Sequence, residues 1–340
     1  MRQVTLGRTG LKVSELGFGG IPIMRLSTDE AVRLVDHCRA RGITFFDTAN
    51  GYNDSEAKIG QALSGHRDQV VLATKTMGRD RATAEAHLTE SLRRLRTDHI
   101  DIYQVHNVTS QESLSAVLAP GGVLEYLQRA REKGLIRFIG VSSHNPQIAK
   151  AALATGHFDT LQFPFNFVES DPVEELFPAA WEMNVGVIGM KPLGGGLLDR
   201  ADLCFKFLRQ HPRLVPIPGF QSLAEADEVI DLYGRPAEVT PADRAAMDAI
   251  RDEMGTRFCH RCEYCLPCPS GVAIPRILLF KSQTRRFSHE HLKKMAADAM
   301  RTGLECQDCG ECQEKCPYGL EVPELIREHL DLYRRLFGEP

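Results

Sequence analysis

Eight short runs of aliphatic and aromatic residues, each followed by an amphipathic stretch, do most to limit what this chain can fold into. The runs fall at 16–19, 44–47, 70–74, 100–105, 138–142, 160–163, 185–190 and 214–217. They are rich in Val, Ile, Phe and Leu and lack strict apolar–polar alternation, so each strand is expected to be covered on both faces. The 3.6-residue pattern between them predicts helices over 29–41, 83–95, 123–133, 146–155, 172–183, 203–210 and 223–232. In the first of these Ala31, Val32, Val35 and Cys38 share one face, and Gly42 is a stop signal. Pro146 and Pro172 stand at helix starts, where a missing N–H costs little.

Strands alternating with helices imply parallel βαβ units. Eight such units match a closed (β/α)8 TIM barrel, an α/β fold. An open doubly wound sheet would carry a Gly-rich first turn, and none is present. Residues 3–13 read as a small hairpin capping the barrel. Gly234, Pro236 and Pro241 mark a boundary, which gives a barrel over 1–234 and a small helical domain over 235–340.

Charge and hydropathy exclude two classes of partner. Lys plus Arg number 41 against 45 Asp plus Glu, a net charge of −4 that does not suit a nucleic-acid binder. No run approaches the roughly 18 apolar residues of a membrane-spanning helix. The opening MRQVTLGRTG has no apolar segment or cleavage signal, so a cytoplasmic protein is expected.

Barrel chemistry sits at the C-terminal strand ends. The second run ends in FFDTANGY, with Asp47 and Tyr52; the third in LATK, with Lys75; the fourth in YQVHN, with His106. A phenol with a pKa near 10 is a weak acid at neutral pH. A nearby ammonium favours phenolate and strengthens that acid. Lys75 can supply the charge, Asp47 can hold Lys75, and Tyr52 can then protonate a carbonyl oxygen while hydride reaches its carbon. His106 can hydrogen-bond the same oxygen and orient the substrate. Taken singly, the four read as a strand-end ion pair, a loop aromatic and a core histidine; together and in order they favour catalysis.

At these four residues the chain resembles the aldo-keto reductase family, over roughly 1–232. The resemblance implies a nicotinamide-dependent reductase of a small carbonyl or sugar-like substrate. It places Ser142 and Gln162 at the nicotinamide carboxamide, with Ser143 where Asn is common. Met190 stands where a Tyr often stacks on the ring, and Lys191 follows it. Loops seven and eight are the usual barrel phosphate site, so Gly194, Gly195 and Gly219 are candidates for phosphate contact as well as plain turn glycines. Gly219 and Glu225 replace cations that NADP-preferring members carry. Glu225 would repel a 2′-phosphate, which favours NADH over NADPH, although Lys191 could offset it. FMN could use the same loops and stays open.

Eight of the ten cysteines form two groups: Cys259, Cys262, Cys265 and Cys268, then Cys306, Cys309, Cys312 and Cys316. The second matches the bacterial ferredoxin run C-x2-C-x2-C-x3-C-P, in which the fourth cysteine ligates the other cluster. That rule assigns Cys259, Cys262, Cys265 and Cys316 to one 4Fe–4S cluster. It assigns Cys306, Cys309, Cys312 and Cys268 to the other. The first group has only x2 before Cys268, which leaves open that Cys268 closes its own cluster. Zinc is the competing ligand chemistry, but zinc pairs normally use C-x2-C with a longer spacer. The segment 275–301 is helical in pattern, so the whole resembles an α-helical dicluster ferredoxin module. Cys38 and Cys204 read as small core residues.

Hydride transfer moves two electrons and clusters move one. Three functions follow. One is a nicotinamide-dependent reductase with fold-stabilising clusters. The second is an electron-transfer oxidoreductase that exchanges electrons with a ferredoxin, flavodoxin or flavin-type partner. The third is a non-catalytic carrier or binding module on a barrel platform. The basic stretch 281–294 reads as a solvated helix face, with a docking patch for an acidic redox partner as the alternative.

Overall fold

The first elements of the chain are two short antiparallel strands, β1 (Gln3–Thr5) and β2 (Lys12–Ser14). Eight parallel strands follow: β3 (Phe18–Gly19), β4 (Phe45–Asp47), β5 (Val71–Thr76), β6 (Ile100–Val105), β7 (Ile136–Ser142), β8 (Thr160–Pro164), β9 (Gly186–Met190) and β10 (Leu214–Pro216). Each pairs with the next in chain order. The structure is a computed structural model and describes residues 1–255, 257–261, 263–284 and 287–340. The N–H groups of Gly17 and Gly19 donate to the carbonyls of Pro216 and Pro218 at 2.9 and 2.7 Å, which joins the first parallel strand to the last. The sheet therefore closes into the expected (β/α)8 barrel. Only glycine permits this seam: a Cβ at Gly19 would sit 2.7 Å from the Ile217 carbonyl oxygen, and one at Gly17 2.8 Å from the Ile217 side chain.

Side chains alternate in and out along a strand. The inward positions near the base are apolar: Phe45, Val71, Ile102, Ile188 and Val215. Leu6, Leu11 and Val13 from the hairpin join them and close the base. Burying each such side chain contributes about 1.5–3 kcal/mol. At the other end the same inward positions turn polar, with Asp47, Lys75, Gln104 and Gln162 all buried. The apolar half of the barrel fixes the strands that aim this polar half.

The helices mostly follow their sequence signals. Thr28–Ala40 begins in a capping box of Ser27 and Glu30. The segment predicted as one helix over 172–183 is instead a single turn, Asp171–Val173, and a separate helix, Leu176–Glu182. Glu175 breaks them with φ −135°. Two helices beyond those expected from the sequence pattern appear as well, Ser55–Leu63 and Gln111–Leu118. The first packs closely because of Gly60, where a Cβ would lie 2.3 Å from the Arg94 carbonyl oxygen.

The chain divides into two compact units, Met1–Leu193 with Arg200–Glu238, and Gly194–Asp199 with Val239–Pro340. The second unit is helical. Its longer helices are Pro241–Gly255, His289–Gly303 and Val322–Phe337. Ile277, Phe280, Leu292, Met300, Ile326 and Tyr333 form its core. Among the described residues no helix is long and apolar enough to cross a membrane.

Candidate active site and cysteine centre

Asp47 is the last residue of β4, and Lys75 lies near the end of β5. Lys75 Nζ donates to Asp47 Oδ2 at 2.5 Å and to the Thr48 carbonyl at 2.7 Å. The pair is sealed from water, with side-chain exposures of 0% and 3%. Gln104 Nε2 donates to the other carboxylate oxygen, Oδ1, at 3.0 Å. Burial pushes the Asp47 carboxyl up; Lys75 pulls it back down, with smaller help from hydrogen bonding by Gln104 and Gln162.

Tyr52 reaches this pair through a tight turn. Its N–H donates to the Ala49 carbonyl at 3.0 Å, and the Asn50 N–H is tied to the Lys75 carbonyl at 3.1 Å. The ammonium of Lys75 consequently lies 5.3 Å from the centroid of the Tyr52 ring. His106, directly after β6, meets the same ring edge-on, with centroids 5.7 Å apart. Burial, and then the cations Lys75, Arg79 and Lys191, hold the His106 imidazole well below its ordinary range, so it is neutral near pH 7. A neutral imidazole donates from one nitrogen only. All four residues expected at the strand ends are thus assembled around one phenol.

Arg79 clamps this corner. Its guanidinium donates to the carbonyls of His106 and Asn107 at 2.6 and 3.0 Å and to Ser113 Oγ at 2.9 Å. Lys191 Nζ meets His144 Nε2 at 2.8 Å, and His144 Nδ1 meets Asn107 Oδ1 at 2.9 Å. An ammonium only donates, so His144 Nε2 accepts and its proton sits on Nδ1.

The candidate cofactor residues are placed unequally. Ser142 is buried and its Oγ accepts from the Asn107 N–H at 2.9 Å. Gln162 is buried, and its Oε1 has no hydrogen-bond partner among the described residues. Met190 ends β9 half-buried, and Lys191 follows with φ 56°. Gly219 is accounted for by packing, since a Cβ there would lie 2.4 Å from Pro22 Cδ. Gly194 and Gly195 have φ 57° and 72° and fall in the second compact unit. Glu225 also has a structural duty: its carboxylate accepts from the Gln221 N–H at 2.7 Å at the start of helix Leu223–Leu232.

In the second unit Cys265, Cys268, Cys306, Cys309 and Cys312 line one hollow together with Val272, Ile274 and Ile326. Cys268 therefore faces the second cysteine group across a partly apolar space. The other end of each group is linked too: His260, beside Cys259, stacks on Tyr318 with centroids 3.6 Å apart and planes within 4°. Tyr318 follows Cys316 by two residues, so loops of both groups meet here. Cys309 is exposed and the other described members are half-buried. Cys262 lies outside the described residues. Cysteines around a hollow suit a cluster several ångströms across, and the apolar lining suits sulfide-bridged iron. Cys38 and Cys204 are buried in helices of the first unit.

The sequence reading missed Gln104. The signal was available, because Gln104 precedes His106 by two residues in a buried strand and so shares its face.

A closed parallel barrel with this strand-end quartet, followed by cysteine loops, defines an oxidoreductase class. The chain belongs to the aldo/keto reductase family, whose model matches residues 15–204. A 4Fe-4S dicluster domain matches residues 258–321. Among relatives, the oxidoreductase YqkF of Bacillus subtilis is 29% identical over 219 residues, covering 60% of this chain and 68% of its own. YrpG of the same organism is 31% identical over 229 residues, 58% of this chain and 68% of its own. Of the solved structures, aldo-keto reductase AKR11C1 from Bacillus halodurans superposes with a TM-score of 0.63 at 26% identity, covering 74% of this chain and 96% of its own. An aldo/keto reductase from Klebsiella pneumoniae, solved with NADP and acetate, has the same fold with a TM-score of 0.63 at 22% identity, covering 73% and 95%.

Proposed function

We propose that this oxidoreductase reduces a small carbonyl, or oxidises the matching alcohol, with a nicotinamide cofactor, and that Tyr52 is its general acid and base. The observation that carries the reading is the buried Lys75 ammonium 5.3 Å from the Tyr52 ring, with His106 at the ring's edge. When bound, a reduced nicotinamide supplies the hydride. Ser142, Gln162 and Met190 would hold its ring end. Lys75 favours the phenolate form of Tyr52, which makes the phenol a better proton donor. Neutral His106 hydrogen-bonds the carbonyl oxygen and fixes it beside that phenol. Asp47 keeps Lys75 in place. NADH is favoured over NADPH because Glu225 would face a 2′-phosphate with like charge. The Klebsiella relative's NADP is a property of that protein.

Two clusters are assigned as Cys259, Cys262, Cys265 with Cys316, and Cys306, Cys309, Cys312 with Cys268; the shared hollow and the His260–Tyr318 stack support this crossing. Closely spaced cysteines of metal-ligand spacing suit a cytoplasmic setting, where thiols stay reduced. A second reading is favoured by the exposed Cys309: clusters near the surface exchange single electrons with a redox protein.

The test is Tyr52→Phe in anaerobically purified protein, with a panel of aldehydes, ketones and 2-oxo acids and both NADH and NADPH. Carbonyl turnover is expected to vanish while cluster absorbance is kept. Undiminished turnover would remove Tyr52 from the chemistry. Turnover only with a reduced ferredoxin or flavodoxin would establish the second reading.

A further inference from the structure

Gln104 sits where a buried strand would ordinarily carry an aliphatic residue. Its strand neighbours Ile102 and Val105 are fully buried and apolar, and Gln104 itself is 0% exposed. Its amide orientation follows from its partner. Asp47 Oδ1, 3.0 Å away, can only accept from it, so Nε2 points to the carboxylate and Oε1 points away. That Oε1 is buried with no hydrogen-bond partner among the described residues. A leucine would escape this cost, so something other than packing keeps an amide here.

A second feature makes room for it. Gln104 lies opposite Gly140 in the β6–β7 ladder, and Gly140 lies opposite Thr160 in the β7–β8 ladder. A Cβ on Gly140 would stand 2.8 Å from Gln104 Cγ and 2.3 Å from Thr160 Oγ1. No side chain fits between β6 and β8 at this level. Gly140 is therefore the space into which the Gln104 side chain is laid against Asp47.

We propose that Gln104, seated in the gap left by Gly140, is a positioning residue for proton delivery by Tyr52. It acts through two other groups. Lys75 takes one oxygen of the Asp47 carboxylate and Gln104 the other, and Gln162 adds the weakest of the hydrogen bonds that hold the carboxyl down. The amide stabilises the ionised carboxylate in a site where burial opposes ionisation. An ionised Asp47 keeps Lys75 an ammonium, and the ammonium strengthens Tyr52 as an acid. Without the amide, Asp47 and Lys75 share a proton as a neutral pair and the phenol loses its cation. No atom of Gln104 touches the reacting carbonyl.

This inference rests on the assignment of Tyr52 as the acid, and the test separates the two. The ultraviolet transition of the Tyr52 phenol is read as the difference between each protein and its Tyr52→Phe counterpart, which needs no substrate. In Gln104→Met and Gln104→Leu this transition is expected to move to higher pH by about one unit or more. The rate kcat is expected to fall about 10- to 100-fold, the effect of losing one hydrogen bond to a charged group, with KM within about twofold. Gly140→Ala, which displaces Gln104 without altering it, should do the same. The pair Gly140→Ala with Gln104→Ala removes the contact with Gln104 but leaves the one with Thr160 Oγ1; it should recover part of the thermal midpoint and none of the Tyr52 transition. A Tyr52 transition that stays put in any folded single variant overturns the proposal. A wild-type protein that turns over no carbonyl defeats the reductase reading alone, and the titration still decides the role of Gln104.

Discussion

Lys75→Met isolates the electrostatic contribution on which proton delivery depends. Methionine keeps length and flexibility and removes only the charge. The ammonium lies 5.3 Å from the Tyr52 ring centroid in a fully buried position. At an effective dielectric constant of about 20, a unit charge at that distance stabilises a phenolate by about 3 kcal/mol, or about 2 pK units. The Asp47 carboxylate, 2.5 Å behind the ammonium, opposes part of this, so 2 units is an upper limit. The substitution also strands Asp47. A buried carboxylate without its cation costs about 3–5 kcal/mol, and Asp47 is expected to take up a proton instead. Pairing Lys75→Met with Asp47→Asn removes that burden and should return most of the stability. The phenol transition is followed by ultraviolet difference titration, turnover by nicotinamide oxidation across pH, and stability by denaturant melts. The transition should rise in the single and double variants alike, and carbonyl reduction should be lost in both. A phenol that titrates at its wild-type pH in the folded double variant would refute the role given to Lys75.

Other outcomes follow from the same geometry. The unfolded chain binds a proton on His106 below about pH 6.5, whereas the folded barrel does not, so stability falls as pH drops below that point by up to about 1.4 kcal/mol per unit. Denaturant melts of His106→Gln at about pH 7.5 and 5.5 should show a shallower loss than wild type; His87 and His211, lowered in the same direction, keep part of the slope. Gly219→Ala should destabilise the barrel by about 1–3 kcal/mol, since its new methyl meets Pro22 Cδ at 2.4 Å and the Gly19 carbonyl at 2.7 Å; an unchanged thermal midpoint would contradict that packing. Anaerobic protein should hold about eight irons with matching sulfide and no zinc, and air should bleach it; two zinc ions per chain would overturn the cluster assignment. Glu225→Lys should lower KM for NADPH relative to NADH, and an unaltered ratio would show that Glu225 serves only the helix start it caps.

The barrel was legible because each strand announces itself as an apolar run, and the strand ends could be located within one or two residues. Asp47, Tyr52, Lys75 and His106 were legible for the same reason: once the strand ends are known, the polar residues there must face the mouth. Helix Ser55–Leu63 was hidden because charged residues share its buried face with Ile59 and Leu63. Lys58 is buried yet donates to the Ile23 and Leu26 carbonyls at 3.0 and 2.8 Å, and Glu56 is buried yet accepts from Thr74 at 2.6 Å. A hydropathy period cannot register a helix that buries its charges. Gly219 and Glu225 also carry duties that local spacing does not announce, a close approach to Pro22 and a hydrogen bond at a helix start. Local spacing reports which chemistry is available; only the long-range neighbour tells which residues are already committed elsewhere.

That distinction bears on Asp47 more than on any other residue. From the sequence it is one half of an ion pair with Lys75. In the folded barrel it is the centre of a three-sided arrangement, with an ammonium on one oxygen, an amide on the other and burial all around. An isolated buried pair can relax by sharing its proton, because neither partner then carries a desolvated charge. An amide cannot follow that relaxation, since it has no proton to exchange and no charge to lose. It therefore tips the pair toward the ionised state and keeps it there as substrate enters and water leaves. A carbonyl reductase built on a phenol needs that bias, because each proton given up must leave behind a phenolate beside a cation and not beside a neutral amine.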